Sequence, residues 1–296
     1  MYVASIFNER GLFQHLNGWV SQADGEAQAR RQVKADQVYF RATSVLLALD
    51  RMVQLDEACV QEYGDFEVDA DVKDDRIIFW SPRLVGILNE LPSALSALRI
   101  MQNAVLPTLA AGRDKPVSVA SSLHEAVKKA HQIALPEPLK NRVLDYWHRG
   151  GNRLKEYRDV DQHFGAVVHH TFLQVKPPRR VIILLPDNPE ARRSDDFTFS
   201  GELNAFDFVR DSFDSLHGLF EDMARLEGAA PKPLGQNVEA GQLGELTEGV
   251  QKTLAVIVEA NSPNHALILG QTEDRRMTVK EAFRIAPQSR EPDGGS

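Results

Sequence analysis

The feature that most constrains the fold is a long stretch, residues 28–63, that contains neither proline nor glycine. Within it, apolar side chains recur at helical spacings among charged residues, which predicts one continuous helix. These apolar residues include Val38, Val45, Leu49, Met52 and Cys59. Helices in globular proteins average roughly 10 to 14 residues, so this one is unusually long. Its length is typical of a strut in a helical bundle or of a dimerisation element.

Four further segments have the apolar periodicity of helices. One is predicted to start at Ser81-Pro82, because serine suits the N-cap and proline suits the first turn. It should run toward residue 110 with an interruption at Pro92. The other three are predicted over residues 121–134, 139–164 and 202–226.

A change in composition after residue 164 predicts a small β element. Two stretches rich in valine, isoleucine and phenylalanine, 166–175 and 180–185, flank the sequence Lys-Pro-Pro-Arg and indicate a β-hairpin. A short strand at 197–199 would extend it. The expected fold class is therefore mainly α, or α+β in the strict sense, with most of the core in a bundle of about five helices.

The chain is predicted to contain one large domain and a small C-terminal segment. The helical domain should cover residues 1–227, with the β-hairpin inserted at about 166–186. Residues 228–250 are rich in glycine, alanine and polar residues, which is typical of a linker or mobile loop. Residues 251–286 predict a small αβ segment with two short strands and a final helix. A disordered tail is expected at 287–296.

Charge and composition limit the possible partners. A net charge of -8 argues against a protein that coats nucleic acid with its whole surface, because such binding depends mainly on phosphate neutralisation. Residues 1–18 have no apolar segment of the kind found in signal peptides, and no stretch approaches the roughly 20 apolar residues of a membrane span. We therefore expect a cytoplasmic protein without membrane contact.

Metal and cofactor sites are not expected from the sequence. Cys59 is the single cysteine, which excludes an internal disulfide and any cysteine-based zinc knuckle. His124 and His131 share a helix face but lack the third ligand of a zinc site. The glycine-rich loops that bind NTP or NAD phosphates are also missing from the sequence.

The predicted helix at 139–164 has an apolar stripe that passes through two adjacent glycines. At about 100° per residue, one face carries Val143, Trp147, Gly150, Leu154, Tyr157 and Phe164. This favours one helix, kinked at Gly150-Gly151, with another helix packed closely against the glycines. A break with Asn152 capping a new helix is the alternative. Trp147, Leu154 and Tyr157 should be buried against the 82–110 or the 202–226 helix.

The end of this segment carries the sequence Arg158-Asp159-Val160-Asp161-Gln162-His163. It resembles the Arg-x4-His signature of the HEPN superfamily, which favours asparagine, aspartate or histidine after the arginine. The resemblance implies a helical bundle, often dimeric, and in many members a metal-independent ribonuclease. One toxin subgroup has a tyrosine two residues after the histidine, where this chain has Gly165. Regulation by modification of such a tyrosine is therefore not expected.

The residue types of this motif suit RNA cleavage. The attacking 2′-hydroxyl must lose a proton and the charge on the phosphorane must be stabilised, which gives His163 the acid/base role and Arg158 the phosphate. Asp159 precedes His163 by four residues and is the candidate to orient the imidazole. However, five residues of helix place Arg158 and His163 about 140° apart, so a neighbour must complete the site. The expected partners are RNA and a second copy of this chain.

The local charge balance is compatible with RNA binding. Residues 140–180 contain nine Lys/Arg and four Asp/Glu. Arg149, Arg153 and Lys155 are therefore candidates to contact an RNA backbone, although solvated helix positions would give the same pattern. The alternative function is a non-catalytic scaffold that dimerises through the 28–63 helix, with Arg158 and Asp161 as a half-buried ion pair. Whether the protein is an enzyme stays open at this stage.

Overall fold

The computed structural model describes residues 7–8, 10–63, 75–113, 120, 122–129, 135–163, 170–191 and 193–234, together with the backbone of strands at 252–258 and 266–271. For His163 the backbone alone is described. Contacts divide the chain into two compact units. One comprises Phe13–Lys232, and the other combines Met1–Leu12 with Pro233–Ser296. The larger unit contains all the candidate site residues.

Helices dominate the described part of the larger unit. In chain order they are α1 (Gln14–Ser21), α2 (Gly25–Tyr63), α3 (Pro82–Ala111), α4 (Leu123–Lys128), α5 (Glu137–Tyr146), α6 (Asn152–His163) and α7 (Ala205–Leu226). A π-helical turn, Trp147–Gly151, joins α5 to α6. The mainly α, α+β fold class predicted from apolar periodicity is confirmed.

The helices α2 and α3 form the most extensive helix pair in the unit. Small buried residues on α2, including Ala35, Ala42 and Ala48, allow the two backbones to approach closely. Ser81 links the pair at one end, because its hydroxyl accepts the Arg83 N–H at 3.1 Å and donates to Glu62 Oε2 at 3.0 Å. The predicted N-cap at Ser81 is thereby confirmed.

The interruption predicted at Pro92 is wrong. Helix α3 continues through Pro92 and Pro107 to Ala111. Proline removes one backbone hydrogen bond, but Ile87, Leu91 and Leu95 on either side of Pro92 are fully buried, and their packing in the core holds the helix together. Tertiary packing therefore outweighs the local cost of the proline.

Among the described helices, only α3 is long and apolar enough to suit a membrane span by length and composition. The core helices of soluble proteins share this property. Half of its most apolar stretch is buried inside the fold. The sequence did not predict this apolar character of α3, because Glu90 and Arg99 interrupt the run of apolar residues.

The predicted β-hairpin is present as β2 (His170–Gln174) and β3 (Arg180–Leu184), paired antiparallel with Phe172 opposite Ile182. The third strand is β1 (Arg76–Ile77), which pairs with β2. The strand predicted at 197–199 is wrong, because that segment belongs to a turn around Asp187. The Asp187 carboxylate accepts the Ser200 hydroxyl at 2.8 Å and the Gly201 N–H at 3.0 Å.

The two remaining predicted helices of the larger unit compare differently with the structure. Helix α4 ends at Lys128, and residues 130–134 of the predicted 121–134 helix lie outside the described part of the chain. Helix α7 matches its prediction closely and begins at the N-cap Asn204, whose side chain accepts the Phe206 N–H at 3.0 Å. The C-terminal unit contains the two predicted strands, β4 (Lys252–Val258) and β5 (Ala266–Gln271), paired antiparallel. The predicted final helix and tail lie outside the described residues.

Helix α1 docks on α7 through its N-terminal turn. Phe13, at its N-cap, has a left-handed backbone and provides no side-chain cap. The cap comes from α7 instead: Glu221 accepts the His15 N–H at 3.1 Å and the Leu16 N–H at 3.0 Å. His217 Nε2 accepts the Phe13 N–H at 3.1 Å. A buried carboxylate at a helix N-terminus is favourable because it faces unpaired N–H groups and the positive end of the helix dipole.

Candidate functional site

The segment that carries the motif is kinked at the two glycines. The π turn includes Gly150 with φ 174° and ψ -19°, which interrupts the helical backbone. Gln102 of α3 packs against the next residue, and its Nε2 donates to the Gly151 carbonyl at 2.8 Å. A Cβ at Gly151 would lie 3.0 Å from Gln102 Nε2 and 2.6 Å from the Tyr146 ring. The prediction of a kinked helix with another helix close to the glycines is confirmed.

The apolar stripe fixes how α6 faces the core. Trp147, Leu154 and Tyr157 are all buried, as predicted. The Tyr157 ring meets Phe208 of α7 edge to face, with centroids 4.8 Å apart. The Tyr157 hydroxyl donates to the Pro186 carbonyl at 2.6 Å, and burial raises its pKa to about 12. These contacts fix the rotation of α6, so Arg158, Asp159 and His163 lie about 100° or more from Tyr157 around the helix axis, whereas Asp161 lies one turn after Tyr157 on the same side.

Within the motif, Asp159 binds two cations of its own helix. Lys155 Nζ lies 2.7 Å from Asp159 Oδ2, and Arg158 Nη1 lies 3.4 Å from Asp159 Oδ1. Burial favours the neutral acid, but Lys155 and Arg158 outweigh it and lower the pKa of Asp159 below its ordinary value. Asp159 is therefore a carboxylate at neutral pH. Its described partners are these two cations.

A third cation, Arg99, approaches the motif from α3. It is buried, and its Nη1 donates to Gln102 Oε1, the same side chain that holds Gly151. Burial lowers the pKa of Arg99, and the charge of Asp159 opposes this effect while that of Arg158 adds to it. Arg99 stays protonated because a guanidinium does not lose its proton in proteins. We call Arg99, Lys155 and Arg158 the α3/α6 cationic cluster.

His124 of α4 borders this cluster. Its ring stands 5.5 Å from the Trp147 ring, and its pKa lies below the ordinary value. Burial is the main cause, and the charges of Lys155, Lys128 and Arg99 add to it while Asp159 opposes them. His124 is therefore neutral at pH 7 and able to accept a proton.

The ion pair between Arg158 and Asp161, which belongs to the alternative scaffold reading of the motif, is wrong. In the described residues, Arg158 pairs with Asp159 rather than with Asp161. The side chain of Asp161 is half-buried, and its burial raises its pKa while Arg158 opposes this only in part. Adjacent residues on a helix seldom pair. Here the Asp159 carboxylate binds Lys155, one turn earlier, with one oxygen and Arg158 with the other.

Replacing Asp161 with asparagine should leave the melting temperature unchanged or raise it at neutral pH. Because the folded-state pKa of Asp161 is raised, the folded protein binds a proton on this carboxyl group more tightly than the unfolded chain does. The contribution of Asp161 to stability is then present at low pH and is lost as the pH rises through the folded pKa. Thermal denaturation at neutral pH and at about pH 4 tests this. The advantage of the variant should shrink at the lower pH, and a clear destabilisation at neutral pH would contradict the assignment.

The other predicted RNA contacts have different surroundings. Arg149 is 79% exposed and pairs with Asp145 at 2.7 Å on the turn before. Arg153 is held in the fold, because it donates to the Tyr157 hydroxyl at 3.1 Å and to the Asp187 carbonyl at 2.9 Å. Lys155 belongs to the cationic cluster. Of the three predicted contacts, Arg149 is the most accessible and Arg153 is the most restrained.

His163 occupies the end of α6, one turn after Asp159, and its side chain lies outside the described structure. Sequence reasoning missed Arg99, Gln102 and Tyr146. A signal was available, since Arg99 and Gln102 follow Leu95 and Leu98 by four residues, where the helical pattern calls for apolar side chains. The Tyr146 hydroxyl accepts the Gln102 amide at 2.9 Å and so belongs to the same buried network.

The described part of the chain offers less support for a metal site or a small-molecule pocket. There, no group of three or more His, Cys, Asp or Glu side chains is arranged to hold a metal ion. A shallow depression lies between α2 and the hairpin and is lined by Val60, Tyr63, Leu173 and Arg179, among others. It is far smaller than the pockets that enclose small ligands.

Comparison with known proteins finds no family model, curated protein or solved structure that matches this chain.

Proposed function

We propose that the protein binds single-stranded RNA at the α3/α6 cationic cluster and cleaves it by metal-independent acid/base chemistry. The observation that carries the proposal is Arg99, a buried guanidinium on α3 beside the residues of the Arg-x4-His motif. A lone arginine on α6 would be an ordinary surface residue. Two arginines and a lysine from two helices, opposed by the carboxylates of Asp159 and Asp161, leave an excess of positive charge.

A phosphate group would relieve this excess. Burying a cation is costly unless an anion or hydrogen-bond acceptors compensate it, and Arg99 has the Gln102 carbonyl oxygen and the charge of Asp159 nearby. Arg158 retains partial exposure, and its described ion pair, with Asp159, is long at 3.4 Å. Its guanidinium can therefore turn toward a phosphodiester, for which its planar donors are well suited.

Cleavage also needs a proton acceptor for the 2′-hydroxyl and a proton donor for the leaving oxygen. His163, one helical turn beyond Asp159, is the proposed acid/base residue of α6. His124, neutral beside the cluster, supplies a second imidazole from α4. Arg158 and Lys155 would stabilise the charge that develops on the phosphorane.

Purified protein should degrade single-stranded RNA in excess EDTA, and His163→Ala should lower the rate by about 100-fold or more, the usual cost of losing a general acid or base. His148→Ala is the matched control, because His148 is an exposed histidine in the π turn that precedes α6. Gel analysis of a labelled RNA measures the rate, and circular dichroism checks that both variants are folded. Wild-type activity in His163→Ala would contradict the catalytic role.

Binding can be tested separately from cleavage. Arg158→Met and Lys155→Met should weaken RNA binding at low salt and each reduce the slope of log K against log salt by about 1, as expected for a lost phosphate contact. Arg210→Met, in an exposed pair on α7, is the control. Unchanged binding in both cluster variants would contradict the proposed site.

The second candidate function is a scaffold that acts through protein contacts. One observation favours it, namely the row of exposed apolar residues on α2, which includes Phe40 at 65% exposure. A wild-type protein that neither binds nor cleaves RNA would shift the assignment to this candidate.

A further inference from the structure

The side of α2 that faces away from the core has an apolar row. Val33, Phe40 and Leu47 are 56%, 65% and 47% exposed. They are spaced by seven residues, so at about 100° per residue they lie nearly in one line along the helix. The buried residues of α2, such as Val38, Ala42 and Val45, lie on the opposite side against α3. The Phe40 ring has a described cation neighbour in Arg41, with 5.2 Å from the guanidinium to the ring centroid.

The charges beside this row change sign along α2. Asp36 precedes its centre and Arg51 follows it, and both lie within about 40° of Phe40 around the helix axis. In an antiparallel pair of helices centred between Thr43 and Ser44, each position faces the one at equal distance on the other side of the centre. Asp36 then faces Arg51, a pair of opposite sign, and Phe40 faces Leu47.

We propose that α2 is the interface of a homodimer, in which two copies pair antiparallel through a twofold axis near Thr43 and Ser44. Phe40 of each copy packs on Leu47 of the other at the centre of the interface. Asp36 and Arg51 pair between the copies on both sides of the axis. This inference depends on α2 alone and is independent of RNA binding.

A second copy is the partner that this pattern fits. A twofold interface requires one surface to be complementary to itself, so its charges must alternate in sign about the axis, as they do here. A parallel pair would place Asp36 next to Asp36 and Arg51 next to Arg51, which is unfavourable. From Asp36 to Arg51 the contact is about 22 Å long at the rise of an α-helix, with apolar residues at the centre and charges toward its ends.

The existing ion pairs of these residues do not oppose dimerisation. Arg51 pairs with Glu90 at 3.2 Å, and the Arg51 side chain is 67% exposed while that of Glu90 is 19% exposed. Asp36 accepts the amide of Gln32 at 2.7 Å on the helix surface. A guanidinium has five N–H donors, so Arg51 can bind a carboxylate of the second copy while it stays near Glu90.

Sedimentation velocity on the full chain over a wide range of concentration tests the proposal. The wild type should dimerise reversibly. Phe40→Glu should lower the association constant by at least roughly 30-fold, in the range for a central aromatic residue of an interface. Leu226→Glu is the control, because Leu226 is also exposed, at 51%, but lies at the end of α7. A wild type that stays monomeric, or a Phe40→Glu protein that dimerises as well as the wild type, would overturn the proposal.

Charge reversal tests the antiparallel arrangement. Asp36→Arg and Arg51→Asp should each weaken the dimer, and the double variant should restore it because every copy then supplies both partners again. Circular dichroism should show all three variants folded, since both side chains lie on the surface of α2. A double variant that is weaker than both single variants would overturn the antiparallel pairing.

Discussion

Replacing Tyr157 with alanine should lower the free energy of unfolding by about 3 to 5 kcal/mol, the range for removing a large aromatic ring from a well-packed core. Tyr157 is fully buried, its ring contacts Phe208 of α7, and its hydroxyl donates to the Pro186 carbonyl. The substitution would thus disrupt the packing of α6 on α7 and the loop after β3 together. Urea denaturation followed by circular dichroism measures the change.

Tyr157→Phe separates the ring from the hydroxyl. This variant keeps the contact with Phe208 and loses the hydrogen bonds to Pro186 and Arg153. We expect a smaller loss of about 1 to 2 kcal/mol, the usual cost of leaving a buried acceptor unpaired. A loss below about 1 kcal/mol for Tyr157→Ala would contradict the central position of this ring in the core.

Replacing Glu221 with alanine should lower the free energy of unfolding by about 2 to 4 kcal/mol. This buried carboxylate accepts the N–H groups of His15 and Leu16, and α1 has no side-chain cap of its own. Without Glu221, two N–H groups at the start of α1 lose their acceptor in a place from which water is largely excluded. Chemical denaturation gives the size of the loss, and hydrogen exchange should show α1 opening first.

Glu221→Gln is the matched variant for this cap. The amide oxygen can still accept one of the two bonds, but the negative charge that favours a helix N-terminus is removed. Its loss should lie between zero and that of Glu221→Ala. If both variants are as stable as the wild type, the docking of α1 does not depend on this carboxylate.

The elements with strong local signals were predictable. Residues 28–63 lack helix-breaking residues, and α7 has an unbroken apolar face from Val209 to Met223, so both helices follow from periodicity. The kink was predictable because two glycines stand inside an apolar stripe that otherwise continues. Burial of Trp147 and Tyr157 followed from the same stripe.

The features that depend on distant partners were not predictable. Strand β1 has two residues and exists because β2 offers an open edge, while the segment at 197–199 turns around Asp187 instead. Helix α3 passes through Pro92 because buried neighbours hold it. The position of Arg99 beside Asp159 depends on how α3 packs on α6, and sequence spacing within α6 gives no information about that.

The cap of α1 by α7 also sets an order in time during synthesis. Glu221 follows His15 by 206 residues, so a ribosome adding roughly 5 to 20 residues per second makes it about 10 to 40 seconds later. Throughout that interval the first turn of α1 lacks its Glu221 acceptor, and Leu16, Trp19 and Val20 have no finished core to enter. A nascent chain that stops short of α7 therefore presents the apolar side of α1 to chaperones and proteases. Completion of the larger unit waits for α7, the last of its described helices, to be translated.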